Sequence, residues 1–295
     1  MLDFREITIN DRDKINAALR LSDFQGCEYS FANNLAWRRL SDSQICLYRD
    51  FYFIRSLDSS GKPYFSFPAG EGDLKELFSL MKAHAGSRNA PLHIIGATDR
   101  SLTVLNELFP DSFSYEPDRD FSDYIYRRSD LAELPGKKYH QKRNHLARFN
   151  ELDYEFSIIE EKDFDDCICF ITGAYNEKDG FSDHSSVAEQ FAVNTFFNYY
   201  RELGLVGGII RIDGKTAAVT IGEPLNSNTF CVHIEKADRA VNGLYAGINN
   251  CFVKNCMNSF EFVNREEDMG LEGLRKSKLS YHPAYLLNKY DIIFK

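Results

Sequence analysis

The stretch Leu205-Val206-Gly207-Gly208-Ile209-Ile210-Arg211-Ile212-Asp213-Gly214-Lys215-Thr216-Ala217-Ala218-Val219-Thr220-Ile221 decides the fold. Its two apolar runs flank Asp213-Gly214, the pair a two-residue hairpin turn prefers, so two antiparallel strands are expected. Working outward, residues 229–234 supply a third strand, and residues 155–159 supply one that precedes two helices. The helices are marked by apolar stripes, Phe164, Cys167, Ile168 and Ile171 in the first and Val187, Phe191, Phe196 and Leu203 in the second. After the meander, a helix over residues 244–257 leads into a short strand at 260–263, and a last strand lies at 290–294.

The first half carries the same order. Residues 4–9 alternate like a strand, 14–21 read as a helix, and 45–48, 51–54 and 64–67 form a meander. A helix at 74–84, a strand at 92–95, a helix at 101–109 and a strand pair at 113–115 and 124–126 follow. The pattern is α+β, found twice. It predicts two tandem domains of the acyl-CoA N-acyltransferase (GNAT) kind, each a mixed, mainly antiparallel sheet flanked by helices. The expected division is an N-terminal domain over 1–134, a basic connecting helix over 135–152, and a C-terminal domain over 153–295 that bears the site.

Composition narrows the function classes. A net charge of -9 over 295 residues argues against broad nucleic-acid binding, which needs a basic surface. The apolar runs are far shorter than the roughly 20 residues of a membrane span. Asp3, Arg5 and Glu6 stand where a signal peptide needs an apolar core, so a cytoplasmic location is expected. The seven cysteines are scattered without a CxxC pair or HExxH motif, and on a helix Cys167 and Cys169 point about 200° apart. Reduced thiols and no metal site are the expectation.

Three segments carry candidate chemistry. Gly136-Lys137-Lys138-Tyr139-His140-Gln141-Lys142-Arg143-Asn144-His145-Leu146-Ala147-Arg148-Phe149 is basic without an acid in an acidic chain. As a helix it offers Lys137, Lys138 and Arg143 to a phosphate, with a solvated face as the plainer alternative. In Cys231-Val232-His233-Ile234-Glu235-Lys236-Ala237-Asp238-Arg239-Ala240-Val241-Asn242-Gly243, His233 and Glu235 share one strand face. Glu235 is the candidate general base, with His233 orienting the acceptor or shuttling its proton. Arg239 and Gly243 precede a helix whose free N–H groups could meet an anion, although the second glycine of a coenzyme A loop is absent. The last segment, Asn264-Arg265-Glu266-Glu267-Asp268-Met269-Gly270-Leu271-Glu272-Gly273-Leu274-Arg275-Lys276-Ser277-Lys278-Leu279-Ser280-Tyr281-His282-Pro283, packs acids and then bases between two strands. Arg275, Lys276 and Lys278 are candidates to hold phosphate or developing negative charge. Asp268 and Asn264 position the acceptor, and Glu267 and Tyr281 join Asn264 in binding substrate.

These segments resemble the C-terminal domain of phosphatidylglycerol lysyltransferases, a family of two acetyltransferase-like units in tandem. The resemblance rests on Gly136-Lys137-Lys138 through Arg143-Asn144, on His233 through Asp238 with Gly243, and on Asn264 through Gly270 and Lys278 through Pro283, with a looser match around Trp37. It implies a site in the second unit and an activated donor, either aminoacyl-tRNA or acyl-CoA. A small molecule or a lipid headgroup is the expected acceptor. The characterised relatives carry a large membrane region, and none is read in this sequence. The expected activity is acyl or aminoacyl transfer to an amine or hydroxyl. A non-catalytic protein that binds a ligand in the same cleft is the alternative. The oligomeric state is not legible.

Overall fold

Asp213 and Gly214 take left-handed backbone angles, φ 50° and 74°, the conformation that lets a two-residue turn follow the twist of its strands. The computed structural model describes residues 2–40, 43–176 and 183–295. In chain order the first half gives α1 (Arg12–Ser22), α2 (Phe31–Trp37), β1 (Gln44–Tyr48), β2 (Phe51–Leu57), β3 (Pro63–Ser66), α3 (Leu74–Gly86), β4 (His93–Ala97), α4 (Asp99–Leu108) and β5 (Phe113–Arg127). Next come α5 (Arg128–Glu133), α6 (His140–Phe149), β6 (Tyr154–Ile158), α7 (Phe164–Asn176), α8 (Asp183–Asn198), β7 (Val206–Ile212), β8 (Lys215–Pro224) and β9 (Thr229–Ala237). The chain ends with α9 (Leu244–Cys256), β10 (Phe262–Asn264), α10 (Glu272–Leu279) and β11 (Tyr285–Phe294).

Two local expectations are corrected. Residues 4–9 do not form a strand. Arg5 makes an isolated bridge to Ile45, and the Asp11 carboxylate accepts the Thr8 backbone N–H at 2.8 Å while pairing with the Arg5 guanidinium. That capture bends the chain into a short 3₁₀ turn instead. The separate strands expected at 113–115 and 124–126 are one strand, β5, whose exposed, charged middle disguised its continuity.

The chain divides into two compact units. The first comprises Met1–Asp123, Glu267–Gly270 and Leu286–Lys295, and the second Tyr124–Glu266 and Leu271–Tyr285. In the first, β1, β2 and β3 form an antiparallel meander, β3 pairs parallel with β4, and β4 pairs antiparallel with β11. Phe53, Phe65, Phe78, Met81, Ile94 and Ile292 fill its core. In the second, β6 to β9 form the meander, β9 pairs parallel with β10, and β10 pairs antiparallel with β5. Both units therefore place an antiparallel strand beside the parallel one. In each that strand comes from the other half of the sequence, β11 in the first unit and β5 in the second. The compact units differ from the linear halves expected from the sequence by that exchange and by Glu267–Gly270, which falls in the first unit.

Candidate active site

The functional geometry of the second unit starts where β9 and β10 part. Their parallel pairing covers Phe262 with Thr229, Val263 with Phe230 and Asn264 with Cys231, while β9 runs on to Ala237. Past Asn264 the chain stays with β5, since the Arg265 N–H donates to the Tyr124 carbonyl at 3.1 Å and the Tyr124 N–H to the Glu266 carbonyl at 3.2 Å. Glu266 takes a left-handed φ of 58°, and the Asn264 Oδ1 accepts its backbone N–H at 2.7 Å. Asn264 is fully buried and shapes this turn. The consequence is that Arg265 and Glu266 present their side chains to the face of β9 that carries Cys231, His233 and Glu235.

Glu235 lies at the centre of one network. Its Oε1 accepts from Arg265 Nη2 at 2.6 Å and its Oε2 from Asn249 Nδ2 on α9 at 2.9 Å. The Arg265 guanidinium lies over the rings of Tyr281, 4.8 Å away, and Tyr126, 5.6 Å away. Arg265 Nη1 is buried without a hydrogen-bond partner among the described residues. From α6, Lys142 sets its Nζ 3.6 Å from the centre of the Tyr281 ring. Burial and then the neighbouring Arg265 charge push the Lys142 ammonium down to about 8, with Glu235 opposing them. Burial lifts the Tyr281 phenol to about 12. Lys278, reaching in from α10, donates to the Arg265 carbonyl at 2.6 Å, so it holds the backbone that carries the guanidinium.

His233 belongs to a second network. Its side chain is 1% exposed, its Nδ1 lies 2.8 Å from Glu266 Oε1, its Nε2 lies 3.1 Å from Glu223 Oε1 on β8, and its ring stacks on Phe196. Burial works against a charge there. Cys231 and the carboxylates of Glu223 and Glu266 outweigh it and hold the imidazole protonated well above its ordinary range. Both ring nitrogens are committed, so His233 sits beside Glu235 in sequence but takes no part in the Glu235 and Lys142 group.

The remaining expected residues spread out. Gly243 starts α9 with φ 88°, and a Cβ there would lie 2.3 Å from the His145 carbonyl oxygen of α6. Its lack of a side chain thus serves the packing of one helix on another. Arg239, Lys137 and Lys276 are exposed, and Arg275 is half-buried. Lys138 pairs with Asp130 at 3.6 Å, and Arg143 donates to the carbonyls of Leu134 and Gly136 at 2.5 and 2.6 Å. Asp268 and Glu267 fall in the first unit. Asp268 is fully buried, accepts from Arg119 at 3.2 Å and caps the Gly270 N–H. Glu267 lies 3.2 Å from the Cys27 thiol. Beside it, buried Lys289 lies 2.7 Å from Asp123 and 2.8 Å from Glu28, whose carboxyl burial lifts to about 7.

Lys142 and Arg265 were not singled out from the sequence, yet signals for both exist. On α6, Lys142 lies three residues after Tyr139 and four before Leu146, which puts it on the inward stripe. Arg265 directly follows a core strand, where a side chain meets the end of the neighbouring strand. An inward lysine with a lowered affinity for its proton can exchange that proton near neutrality, and a guanidinium on a strand end can hold an anion.

The comparisons with known proteins agree with this architecture. The model of the family described as phosphatidylglycerol lysyltransferase, C-terminal, matches residues 19–293. A conserved protein of unknown function from Bacteroides thetaiotaomicron is 36% identical, with a TM-score of 0.90 and 100% of both chains covered. L-PGS from Bacillus licheniformis is 13% identical with a TM-score of 0.69, over 99% of this chain and 94% of that one. FemX is 9% identical with a TM-score of 0.62, over 98% of this chain and 96% of that one, a likeness of fold alone. No curated protein matches the sequence. The fold is thus α+β, a mixed sheet flanked by helices that FemX and L-PGS share, and no helix among the described residues is long and apolar enough to cross a membrane. With its family model spanning nearly the whole chain, the protein belongs to the phosphatidylglycerol lysyltransferase C-terminal family.

Proposed function

We propose that the protein transfers an acyl or aminoacyl group from an activated donor to an amine or hydroxyl acceptor, using the group at the parting of β9 and β10. The observation that carries this reading is the convergence of Lys142, Glu235 and Arg265 there: Lys142 Nζ lies on the Tyr281 ring, and Arg265 bridges that ring to Glu235. In this reading neutral Lys142 takes the acceptor's proton as its nitrogen or oxygen attacks the donor carbonyl, and later returns it to the leaving oxygen or sulfur. Arg265 supports the negative charge that develops on that carbonyl, and Glu235 orients Arg265. Lys278 is a positioning residue for Arg265. Lys137, Arg275 and Lys276 provide positive charge for donor phosphates.

Of the two donors, aminoacyl-tRNA is favoured over acyl-CoA. The start of α9, where a GNAT would seat a pyrophosphate, has its Gly243 packed against α6. The family description, phosphatidylglycerol lysyltransferase, supports a lipid-headgroup acceptor. A second reading, a ligand-binding protein without turnover, is favoured by the engagement of both Glu235 oxygens, by Arg265 and by Asn249.

The test supplies labelled aminoacyl-tRNA or acyl-CoA to the purified chain, with phosphatidylglycerol micelles or a panel of small amines. Acceptor-dependent appearance of label in product is the expected result. Retention of a donor or acceptor with no product supports the binding reading, and neither binding nor turnover contradicts both.

A further inference from the structure

The network around His233 has a chemistry that the transfer reading does not use. Cys231 and His233 lie on one face of β9 at a spacing of two, and Glu266 approaches from the turn after β10. Their atoms converge. Cys231 Sγ is 3.8 Å from His233 Nδ1 and 3.9 Å from Glu266 Oε1, and Nδ1 is 2.8 Å from that same oxygen. Ligand atoms held by one tetrahedral zinc ion at about 2.0 to 2.3 Å stand about 3.3 to 3.6 Å apart, so the two sulfur distances are close to what an ion needs and the hydrogen-bonded Nδ1 and Oε1 part by about 0.5 Å to admit it. The donor set, one thiolate, one imidazole and one carboxylate, is also the borderline mixture that zinc prefers. On the far side of the ring, Nε2 faces Glu223 at 3.1 Å, the carboxylate that orients a metal-bound histidine and fixes its tautomer. Phe196, stacked on the imidazole with an interplanar angle of 10°, holds the ring plane.

We infer that Cys231 Sγ, His233 Nδ1 and Glu266 Oε1 form a zinc-binding site, with Glu223 as the partner of His233 Nε2. Binding requires the Cys231 sulfur as thiolate and the lone pair of His233 Nδ1, so any proton carried by either atom leaves to solvent as the ion enters. No bond other than these coordination bonds forms. Because Cys231 is fully buried and the ligands come from β9 and the segment after β10, the ion joins two parts of the second unit, with Glu223 of β8 tied in through His233.

The first unit offers a useful contrast. Cys27, Asp123 and Glu267 also bring their ligand atoms together. There the Lys289 ammonium already lies 2.7 Å from Asp123 and 3.6 Å from Cys27 Sγ, in the space an ion would need. No metal is assigned to that cluster.

The experiment uses the full chain, stripped with a chelator and titrated with cobalt(II) under reducing conditions, because cobalt reports thiolate ligation by an intense near-ultraviolet charge-transfer band. One equivalent of cobalt should produce that band, and zinc should abolish it by displacement. Cys231→Ser should lose the band while keeping the native circular dichroism spectrum, and Glu266→Gln should weaken cobalt binding at least tenfold. Zinc should also raise the Tm of the stripped wild-type chain. A wild-type protein that shows no thiolate band at saturating cobalt overturns the inference, whether or not any variant folds. So does a band of unchanged intensity in Cys231→Ser, which would place the ligand at another cysteine. Neither outcome depends on transfer activity.

Discussion

Lys142 is charged at a cost. Its ammonium is drawn out of water beside the Arg265 charge, which lowers its affinity for a proton from 10.5 to about 8, and the Tyr281 face at 3.6 Å offsets part of that cost. A lysine with a lowered value in the folded state penalises folding fully below about pH 8, and the penalty disappears as the pH rises towards 10.5. Lys142→Met should therefore stabilise the protein by about 1 to 3 kcal/mol at pH 7. The gain should vanish near pH 10.5, as read from urea unfolding at the two pH values. Arg265 and Glu235 are the complementary case, a pair whose side chains are 11% and 9% exposed at 2.6 Å. Glu235→Leu alone leaves a buried guanidinium uncompensated and should cost about 3 to 5 kcal/mol. Adding Arg265→Met should recover most of that loss, and a double-mutant cycle measures the coupling. At this scale the sequence showed which residues share a strand face, hence His233 with Glu235. It did not show that the turn at Glu266 sends Arg265 to one of them and Glu266 to the other, because that depends on where β10 leaves β9.

Among the elements, α6 and α9 decide how the site is walled. Tyr139 and Phe149 are fully buried, as the periodicity of the basic segment predicts, while Lys137 faces outward, Arg143 clasps the preceding loop and Lys142 turns inward onto Tyr281. What the periodicity could not give is how closely the helices meet. A Cβ at Gly247 would come within 2.4 Å of the Phe149 ring. Gly247→Ala should therefore lose about 1 to 3 kcal/mol by overpacking, where an exposed helical glycine would gain from the same change. The measurement is the shift in denaturant midpoint, and a gain would show that α6 can move away at little cost. The loop glycine Gly243 was read from sequence as an anion cradle because glycine at a helix start has that use. The same missing side chain permits helix contact, and only the neighbour distinguishes the two.

For the molecule as a whole, the repeated order of strands and helices was legible because each segment's period is local: the Asp213-Gly214 turn, the stripe on α7 and the meander of β1 to β3 need no knowledge of partners. The exchange of β5 and β11 was not, since pairing is a long-range choice and both strands suit either neighbour by composition. It has a consequence for stability. Ile292 and Phe294 of β11 belong to the core that contains Phe78 and Met81. Removing residues 286–295 should therefore unfold the first unit and raise hydrogen exchange in β1 to β4, with the β6 to β9 meander keeping its protection. Loss of protection confined to the second unit would mean that β11 serves the other core.

The transfer reading rests most directly on Lys142, so the decisive measurement is the acceptor-dependent loss of label from aminoacyl-tRNA by the wild type and by Lys142→Met, at pH 8 and saturating acceptor. The account predicts turnover by the wild type and a kcat lower by roughly 10² to 10⁴ in the variant, with donor binding kept. Equal rates in the two proteins, or donor binding by the wild type without turnover for any acceptor, would contradict it.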